Sequence, residues 1–212
     1  MTSRNPYSPV RKLAATDQID TFDCGQPALN QFLQRYALPN QKANGAQTYV
    51  CCKAETVVGF YSLAVGSVDP AAVPSRVMKG LARHPVPVMI LARLAVDSAH
   101  QHQGLGKALL KDALLRTAQA ADIAGIRCLL VHAKDDAARQ WYEDWEFEPS
   151  PTNPYHLFLM LKDLKALIGN LCKATGLRIF YSSFSIFSES KHQHDTLCRP
   201  TLGGLVSARF DR

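Results

Sequence analysis

The chain of 212 residues has no apolar run of about 18 residues, the length that a membrane-spanning helix needs. Its first thirteen residues, MTSRNPYSPVRKL, also lack the apolar centre of a secretory signal peptide. Charged residues make up 20% of the chain and hydrophobic residues 47%, which excludes a disordered polyelectrolyte and is typical of a globular domain. We therefore expect a cytoplasmic protein without a membrane segment.

The six cysteines form no C-x-x-C pair, because Cys51 and Cys52 are adjacent and the others are scattered. This spacing favours reduced thiols over a zinc site or a disulfide framework. HQH motifs occur at residues 100–102 and 192–194, but neither has a third ligand at a convincing spacing. We expect no metal site.

Acidic residues are scarce in the first part of the chain, where residues 1–93 carry ten Lys and Arg against five Asp and Glu. Four basic residues with no acidic residue among them end this part: Arg76, Lys79, Arg83 and Arg93. A polyanionic partner would explain such a basic surface. An ordinary solvated surface explains it equally well, since the net charge is only +6.

Periodicity predicts alternating helices and strands, the order of an α/β fold with a mixed sheet and helices on its faces. Helices are predicted over Asp23–Tyr36, Pro70–Arg83, Gly104–Ala121 and Asp135–Trp145. Strands are predicted before and after an Ala54–Glu55 turn, over His84–Asp97, over Ile126–Ala133 and within Thr152–Leu164. The nearly continuous apolar character of Val88–Val96 indicates a central strand buried on both faces.

The amino-acid composition of the chain changes after Gly169, where serine and aromatic residues are frequent and follow no clear period. We predict one domain over residues 1–169. Residues 170–212 are predicted to be a C-terminal extension, either disordered or not native to the protein.

The stretch HQHQGLGKALL, His100–Leu110, places two glycines at the start of a predicted helix. A P-loop is excluded because the G-x-x-x-x-G-K-[ST] spacing is absent, and a dinucleotide fingerprint needs a third glycine where Leu109 stands. Gly104 and Gly106 allow the backbone to approach an anion, and the N–H groups of Gln103–Lys107 then form a pyrophosphate cradle at the helix N-terminus. A plain strand–loop–helix turn is the alternative.

The strand LARLAVD, followed by Q-x-x-G-x-G from Gln101 and a helix, resembles the acetyl-CoA site of the GNAT acetyltransferase superfamily. A second stretch resembles the family's small or aromatic residue–Tyr–x–x–x–Gly–Phe signature, with Tyr142 and Phe147 in place. Glu146 replaces the usual glycine and would carry strain in a left-handed conformation. Over roughly Val10–Leu167 the chain is similar to the toxin-type GNATs, the TacT- and AtaT-like acetyltransferases of aminoacyl-tRNA.

The resemblance implies a GNAT fold with a splayed central sheet, acetyl-CoA as co-substrate and aminoacyl-tRNA as acceptor. It also implies a ribbon-helix-helix antitoxin as partner, and a homodimer. The residues it assigns to acetyl-CoA are Leu94, Ala95, Val96, Gln101, His102, Gln103, Gly104, Leu105, Gly106 and Lys107. It assigns to Tyr142 the protonation of the leaving CoA thiolate.

Arg76, Lys79, Arg83 and Arg93 are the candidate substrate-binding residues, the first three on one predicted helix. Arg93 interrupts an apolar strand, which indicates either a contact to tRNA or a buried salt bridge. The sequence nominates no general base, because an α-amino group is partly neutral near pH 7. Two other functions stay open: a GNAT for a small amine or a protein N-terminus, and an inactive CoA-binding relative.

Overall fold

The structure is a computed structural model that describes the backbone of residues 6–175 and side chains as far as residue 170. Its elements are β1 (Arg11–Lys12), α1 (Pro27–Gln31), a π-helical turn (Phe32–Tyr36), α2 (Ala37–Lys42), β2 (Gln47–Lys53), β3 (Thr56–Val68), a 3-10 turn (Pro70–Ala72), α3 (Ser75–Met78), β4 (Val86–Val96), a 3-10 turn (Ser98–His100), α4 (Leu105–Ile123), β5 (Cys128–His132), α5 (Asp136–Glu143), β6 (Glu148–Pro149), β7 (His156–Met160) and α6 (Leu161–Thr175). No helix among these residues has the length and apolar content needed to span a bilayer.

Within the described residues the strands form one seven-stranded sheet in the order β1-β2-β3-β4-β5-β7-β6. β4 and β5 are parallel, whereas the other neighbouring strands are antiparallel. This mixed sheet with flanking helices confirms the predicted α/β class. The predicted C-terminal extension lies outside the described residues from residue 176 onward, while α6 continues through residue 169.

β4 lies at the centre of the sheet, as predicted, but only its first half is buried on both faces. Val88, Met89 and Leu91 are buried, whereas Arg93 is exposed and Leu94 is half-buried. The prediction of a fully buried strand is therefore wrong for the second half. The reason is that β5 stops pairing with β4 partway along, so this half lines a cleft instead of the core.

Helix α4 crosses β3 closely because β3 presents a glycine beneath it. A Cβ atom at Gly59 would lie 2.9 Å from Cδ1 of Leu109, closer than real contacts allow. The helix is further fixed by Asp112, whose carboxylate accepts hydrogen bonds from the buried Tyr61 phenol and from Arg116 Nε at 2.8 Å. These contacts hold the helix at whose N-terminus the cradle was predicted.

A helix was predicted over Asp23–Tyr36. The observed helical segment begins and ends later, since α1, the π-helical turn and α2 follow one another from Pro27 to Lys42. Pro39 explains the π-helical turn, since proline has no N–H and its ring would clash with the carbonyl of Arg35 in a regular α-helix. The carboxylate of Asp23 does not cap the helix but accepts a 2.7 Å hydrogen bond from Asn30 Nδ2.

The single helix predicted over Pro70–Arg83 is wrong, because the structure contains a 3-10 turn and the four-residue α3. Pro74 holds the preceding residue in an extended conformation, which separates the two turns. Gly80, with φ at +81°, follows shortly after the second turn. Lys79 and Arg83 consequently lie on an irregular loop and do not share a helix face.

Helix α5 ends in a Schellman motif built around Glu146, whose φ is +65°. The Glu146 N–H donates to the carbonyl of Glu143 at 2.8 Å, and the Phe147 N–H donates to the carbonyl of Tyr142 at 3.3 Å. The rings of Tyr142 and Phe147 pack edge to face, 5.4 Å apart. Glu146 thus occupies the left-handed position that glycine usually fills, and the strain expected there stays a prediction.

We predict that Glu146→Gly raises the free energy of unfolding by about 1 kcal/mol, because glycine adopts this conformation without a Cβ clash. Denaturant unfolding measures the effect. Glu143→Gly, inside α5, is the control and should lower the free energy of unfolding by a similar amount. Destabilisation by both substitutions would contradict the strain assigned to Glu146.

Candidate active site

The central feature of the site is the separation of β4 from β5. The two strands pair only as far as Leu91 and Val131, although β4 continues to Val96. Over residues 92–96 the edge of β4 that faces β5 has no strand partner among the described residues. We call this opening the fork. The carbonyls of Ala92 and Val96 accept hydrogen bonds from the side chains of Arg93 and Gln101, and the other unpaired backbone groups of this edge are free to bind a ligand.

A bulge in β4 explains why the strands separate at this point. Against β3, Ser62 pairs with Arg93 and Leu63 pairs with Leu91, so Ala92 is an extra residue in β4. A β-bulge bends the strand that carries it and increases the local twist. The last residues of β4 therefore turn away from the straight course of β5.

The fork opens into a cleft of about 1130 Å³, slightly larger than the usual pocket for a small ligand. Its walls come from the segment before and within α1, from β4, from the loop before α4, from the end of β5 and from α5. The lining residues are Cys24, Gln26, Ala28, Leu29, Ile90, Leu91, Ala92, Arg93, Leu94, Ala95, Val96, Gln101, His102, Gly104, Gly106, Lys107, His132, Ala133, Lys134, Ala138, Trp141 and Tyr142.

The loop before α4 and the first turn of that helix form a backbone cradle. His102 and Gly104 are both in the left-handed region, with φ at +58° and +83°. No side chain caps α4, its first turn contains no acidic residue, and the Ala108 N–H makes a 3.1 Å bond to the Gly104 carbonyl. The N–H groups that precede Ala108 therefore face the cleft mouth at the positive end of a helix, which suits a phosphate group.

Tyr142 stands on α5 and borders the cleft. It is buried and held between Trp141 and Phe147 by edge-to-face ring contacts of 4.9 and 5.4 Å. Burial raises the pKa of its phenol above the ordinary value near 10, so the hydroxyl stays protonated at neutral pH. The hydroxyl has no hydrogen-bond partner among the described residues and is available to donate to a group bound in the cleft.

Comparison with known proteins agrees with this arrangement. Residues 44–149 match the family described as the acetyltransferase (GNAT) domain. A tRNA-acetylating toxin of Mycobacterium tuberculosis (strain ATCC 25618 / H37Rv) is 47% identical over 164 residues, which cover 77% of this chain and 98% of the toxin. The chain belongs to the GNAT acetyltransferases.

Two solved structures of related toxins are also similar to this GNAT chain. AtaT complexed with acetyl-methionyl-tRNAfMet has a TM-score of 0.71 at 28% identity, and the match covers 76% of this chain and 98% of AtaT. A tyrosine-to-phenylalanine mutant of AtaT, bound to the C-terminus of the antitoxin AtaR and acetyl-CoA, has a TM-score of 0.67 at 27% identity. That match covers 77% of this chain and 98% of the mutant chain.

The structure brings most of the predicted cofactor residues of this GNAT domain to the cleft, and all of them except Gln103 and Leu105 line it. Leu105, the first residue of α4, is buried. The side-chain carbonyl of Gln103 accepts a 2.7 Å hydrogen bond from the hydroxyl of Tyr7. The side chain of Gln101 donates to the carbonyl of Val96 at 3.0 Å, so it ties the loop to the end of β4. Contact of these residues with acetyl-CoA stays a prediction.

Arg93 projects into the cleft, where its guanidinium lies 5.2 Å from the ring centroid of Phe32. Its Nη1 atom donates to the carbonyl of Ala92 at 2.6 Å. Arg93 is exposed and forms no ion pair with another described residue, so a buried salt bridge does not explain it. A cation held on an aromatic ring at the fork is available to a substrate.

The other predicted substrate residues lie away from the cleft lining. Arg76 is paired with two carboxylates, those of Glu148 and of Asp163, the latter at 2.5 Å. Lys79 and Arg83 are exposed and form no ion pair within the described part of the chain. A role of all three in tRNA binding stays a prediction. The charges of Lys79 and Arg83 are more available to a substrate than that of Arg76, which is paired with two carboxylates.

Sequence reasoning missed several residues that line the cleft. His132 ends β5 beside the fork, Lys134 follows it, and Trp141 precedes Tyr142 on α5. The strand predicted over Ile126–Ala133 contained the signal for His132, because the last residues of a strand beside a splayed neighbour face the opening. The cleft is also lined by Cys24, Gln26, Ala28 and Leu29. Tertiary packing brings these four residues to the cleft, and no local sequence pattern indicates it.

We predict that Gly104→Ala weakens acetyl-CoA binding about tenfold, which corresponds to ~1.4 kcal/mol. An alanine Cβ is unfavourable at φ +83°, so the loop leaves the cradle conformation and binding must restore it. Calorimetric titration with acetyl-CoA measures the change. Gly80→Ala is the control, because Gly80 also has a positive φ, +81°, but has open space around it and does not line the cleft, so its affinity should stay within about threefold. Equal losses in both variants would contradict the specific role of Gly104.

Proposed function

We propose that this chain transfers the acetyl group of acetyl-CoA to the α-amino group of aminoacyl-tRNA and so blocks translation as the toxin of a toxin–antitoxin pair. The observation that carries the proposal is the 47% identity to a tRNA-acetylating toxin over 98% of that protein. It is supported by the fork, the cradle and Tyr142, which border one cleft.

The residues of the cleft fit acetyl-CoA. The unpaired backbone of Leu94–Val96 presents hydrogen-bonding groups to an extended amide-containing arm such as pantetheine. The cradle, with Lys107 exposed beside it, presents N–H groups and positive charge to the pyrophosphate. In the proposed complex the thioester lies between the end of β4 and Tyr142, which line the same cleft.

Acetyl transfer needs a neutral amine, a stabilised oxyanion and a protonated leaving thiolate. Backbone N–H groups near Leu94–Val96 stabilise the negative charge that develops on the thioester oxygen. Tyr142 donates its proton to the CoA sulfur as the carbon–sulfur bond breaks. Because burial raises the pKa of Tyr142, the phenol is present in the acid form throughout the neutral pH range.

The acceptor enters the cleft from the side of Arg93. The guanidinium of Arg93 binds a phosphate at the acceptor end of the tRNA. Lys79, Arg83 and Arg76 contribute sequence-independent contacts to the tRNA backbone. This assignment agrees with the lining of the cleft, which contains Arg93 and Lys134 but no Asp or Glu within the described residues.

The proposed partners follow the family resemblance. AtaT, a structural neighbour, is solved bound to the C-terminus of its antitoxin AtaR. We extend this to a ribbon-helix-helix antitoxin for the present chain, to a homodimer and to a cytoplasmic location, where charged tRNA is available.

The direct test is transfer of labelled acetyl from acetyl-CoA to a mixture of charged tRNAs. Tyr142→Phe should lower the rate constant for transfer at least tenfold, about 1.4 kcal/mol in the barrier, because the thiolate loses its proton donor. Its affinity for acetyl-CoA should not change. Tyr155→Phe is the matched control, because this exposed tyrosine hydroxyl contacts Asp136 outside the cleft.

Two results would contradict the proposal. Label on small amines or protein N-termini with none on the aminoacyl end would exclude tRNA as the acceptor. Bound acetyl-CoA without transfer to any amine would assign the chain to inactive relatives. An unchanged rate in Tyr142→Phe would remove the tyrosine from the chemistry but leave the acceptor assignment intact.

We also predict that reversing two charges, in Lys79→Glu with Arg83→Glu, raises the KM for aminoacyl-tRNA at least tenfold at physiological salt. Loss of two phosphate contacts should lower the slope of log affinity against log salt by about two. The affinity for acetyl-CoA is the internal control. Arg76 is left unchanged, because its reversal would break two ion pairs. An unchanged salt slope would show that this loop does not contact tRNA.

A further inference from the structure

The proposed transfer releases a proton from the attacking amine, and the chain must provide a route for it. No carboxylate lines the cleft among the described residues. The cleft-lining side chains that can exchange a proton are Cys24, His102, Lys107, His132, Lys134 and Tyr142. Lysine is protonated at neutral pH unless it is strongly perturbed, which leaves the thiol, the phenol and the two imidazoles.

Three of these four groups are poorly suited to accept the proton. The Cys24 thiol donates to Oδ1 of Asn30 at 3.1 Å, and burial raises its pKa. Burial also raises the pKa of Tyr142, so its phenol is already protonated at neutral pH and cannot accept a further proton. His102 lies in the loop before α4, within the cradle that is proposed to bind the pyrophosphate, and not at the end of β4 or β5.

His132 stands at the fork itself. It is the last residue of β5 and directly follows Val131, whose pairing with Leu91 is the last between β5 and β4. Its ring stacks on that of His156, its partner in β7, with centroids 4.1 Å apart and planes at 24°. One face is therefore covered while the residue borders the cleft. Neither ring nitrogen is hydrogen-bonded to another described residue.

The charges around His132 favour its neutral form. Partial burial, the neighbouring His156 and the positive charge of Arg93 all lower its pKa below the ordinary value near 6.5. The other titratable groups of the cleft near the end of β5 are Lys134, which forms an ion pair with Asp135 at 3.3 Å, and the phenol of Tyr142. At neutral pH the imidazole is unprotonated and able to accept a proton.

We infer that His132 is the general base of the reaction, an inference that rests on the proposed acetyl transfer. As the amine nitrogen bonds to the thioester carbon, a ring nitrogen of His132 takes the proton that the nitrogen loses. The carbon–sulfur bond breaks, and the sulfur takes the proton of Tyr142. Proton transfer from the imidazolium to the phenolate, through solvent, then restores both groups and leaves an amide and free CoA.

The test compares His132→Asn with His156→Asn in single-turnover acetyl transfer to charged tRNA at saturating acetyl-CoA. Loss of a general base should slow His132→Asn about a hundredfold. His156→Asn removes only the stacking partner and should stay within about fivefold of the wild type. Both variants should bind acetyl-CoA and unfold like the wild type, which separates the effect from misfolding.

Two further measurements distinguish proton transfer from a structural role. Imidazole added to His132→Gly should restore activity in proportion to its neutral form. The wild-type rate should fall more steeply as the pH drops through the lowered pKa of His132, whereas His132→Asn should keep only the decrease caused by protonation of the acceptor amine. Equal losses in the two Asn variants without imidazole rescue, or an unchanged rate and pH profile in His132→Asn, would overturn the inference.

Failure of the base assignment can be distinguished from failure of tRNA as the proposed acceptor. If the wild type acetylates a small amine but no charged tRNA, the proposed function fails while the same variants test His132 on that amine. If the wild type acetylates tRNA and His132→Asn is fully active, only the base assignment fails.

Discussion

The site depends on one constraint, the loss of pairing between β4 and β5 beyond Leu91 and Val131. A paired edge satisfies its own backbone groups, whereas the edge of β4 over residues 92–96 presents them to a ligand. The extra residue at Ala92 causes this change without interrupting the pairing of β4 with β3. The sheet is therefore continuous on one side of β4 and open on the other. A cofactor arm can take the place of the missing strand while the fold keeps its core.

Specific packing contacts hold the neighbouring helices next to the fork. Gly59 lets α4 lie close to the sheet, which brings the cradle to the end of β4. The Schellman motif at Glu146 ends α5 so that Phe147 packs on Tyr142 and fixes the phenol at the cleft wall. At the other side, the π-helical turn carries Phe32, whose ring supports Arg93. The cradle, Arg93 and Tyr142 are thus positioned by three helices around a single opening.

Much of this was predictable from the sequence, for physical reasons that differ between the parts. The central strand β4 and the helix α4 that begins at the cradle glycines follow from local patterns, and the structure has both within a few residues of the predicted bounds. The role expected for Tyr142 came from the resemblance to the GNAT signature and not from a local pattern. The helix predicted over Pro70–Arg83 is wrong because Pro74 and Gly80 favour short turns over a continuous helix. The support of Arg93 by Phe32 and the stack of His132 on His156 join segments far apart in the chain. Such contacts are set by tertiary packing and have no local signal.

The central claim is that the unpaired edge of β4 binds the cofactor. Hydrogen–deuterium exchange with and without acetyl-CoA tests it directly, because a bound arm must protect the amides that the fork leaves open. The account predicts slower exchange over residues 92–96 and over Gln103–Lys107 on binding. It also predicts little change over residues 86–91, which are already paired with β5 or β3. Binding of acetyl-CoA with unchanged exchange over residues 92–96 would contradict the account.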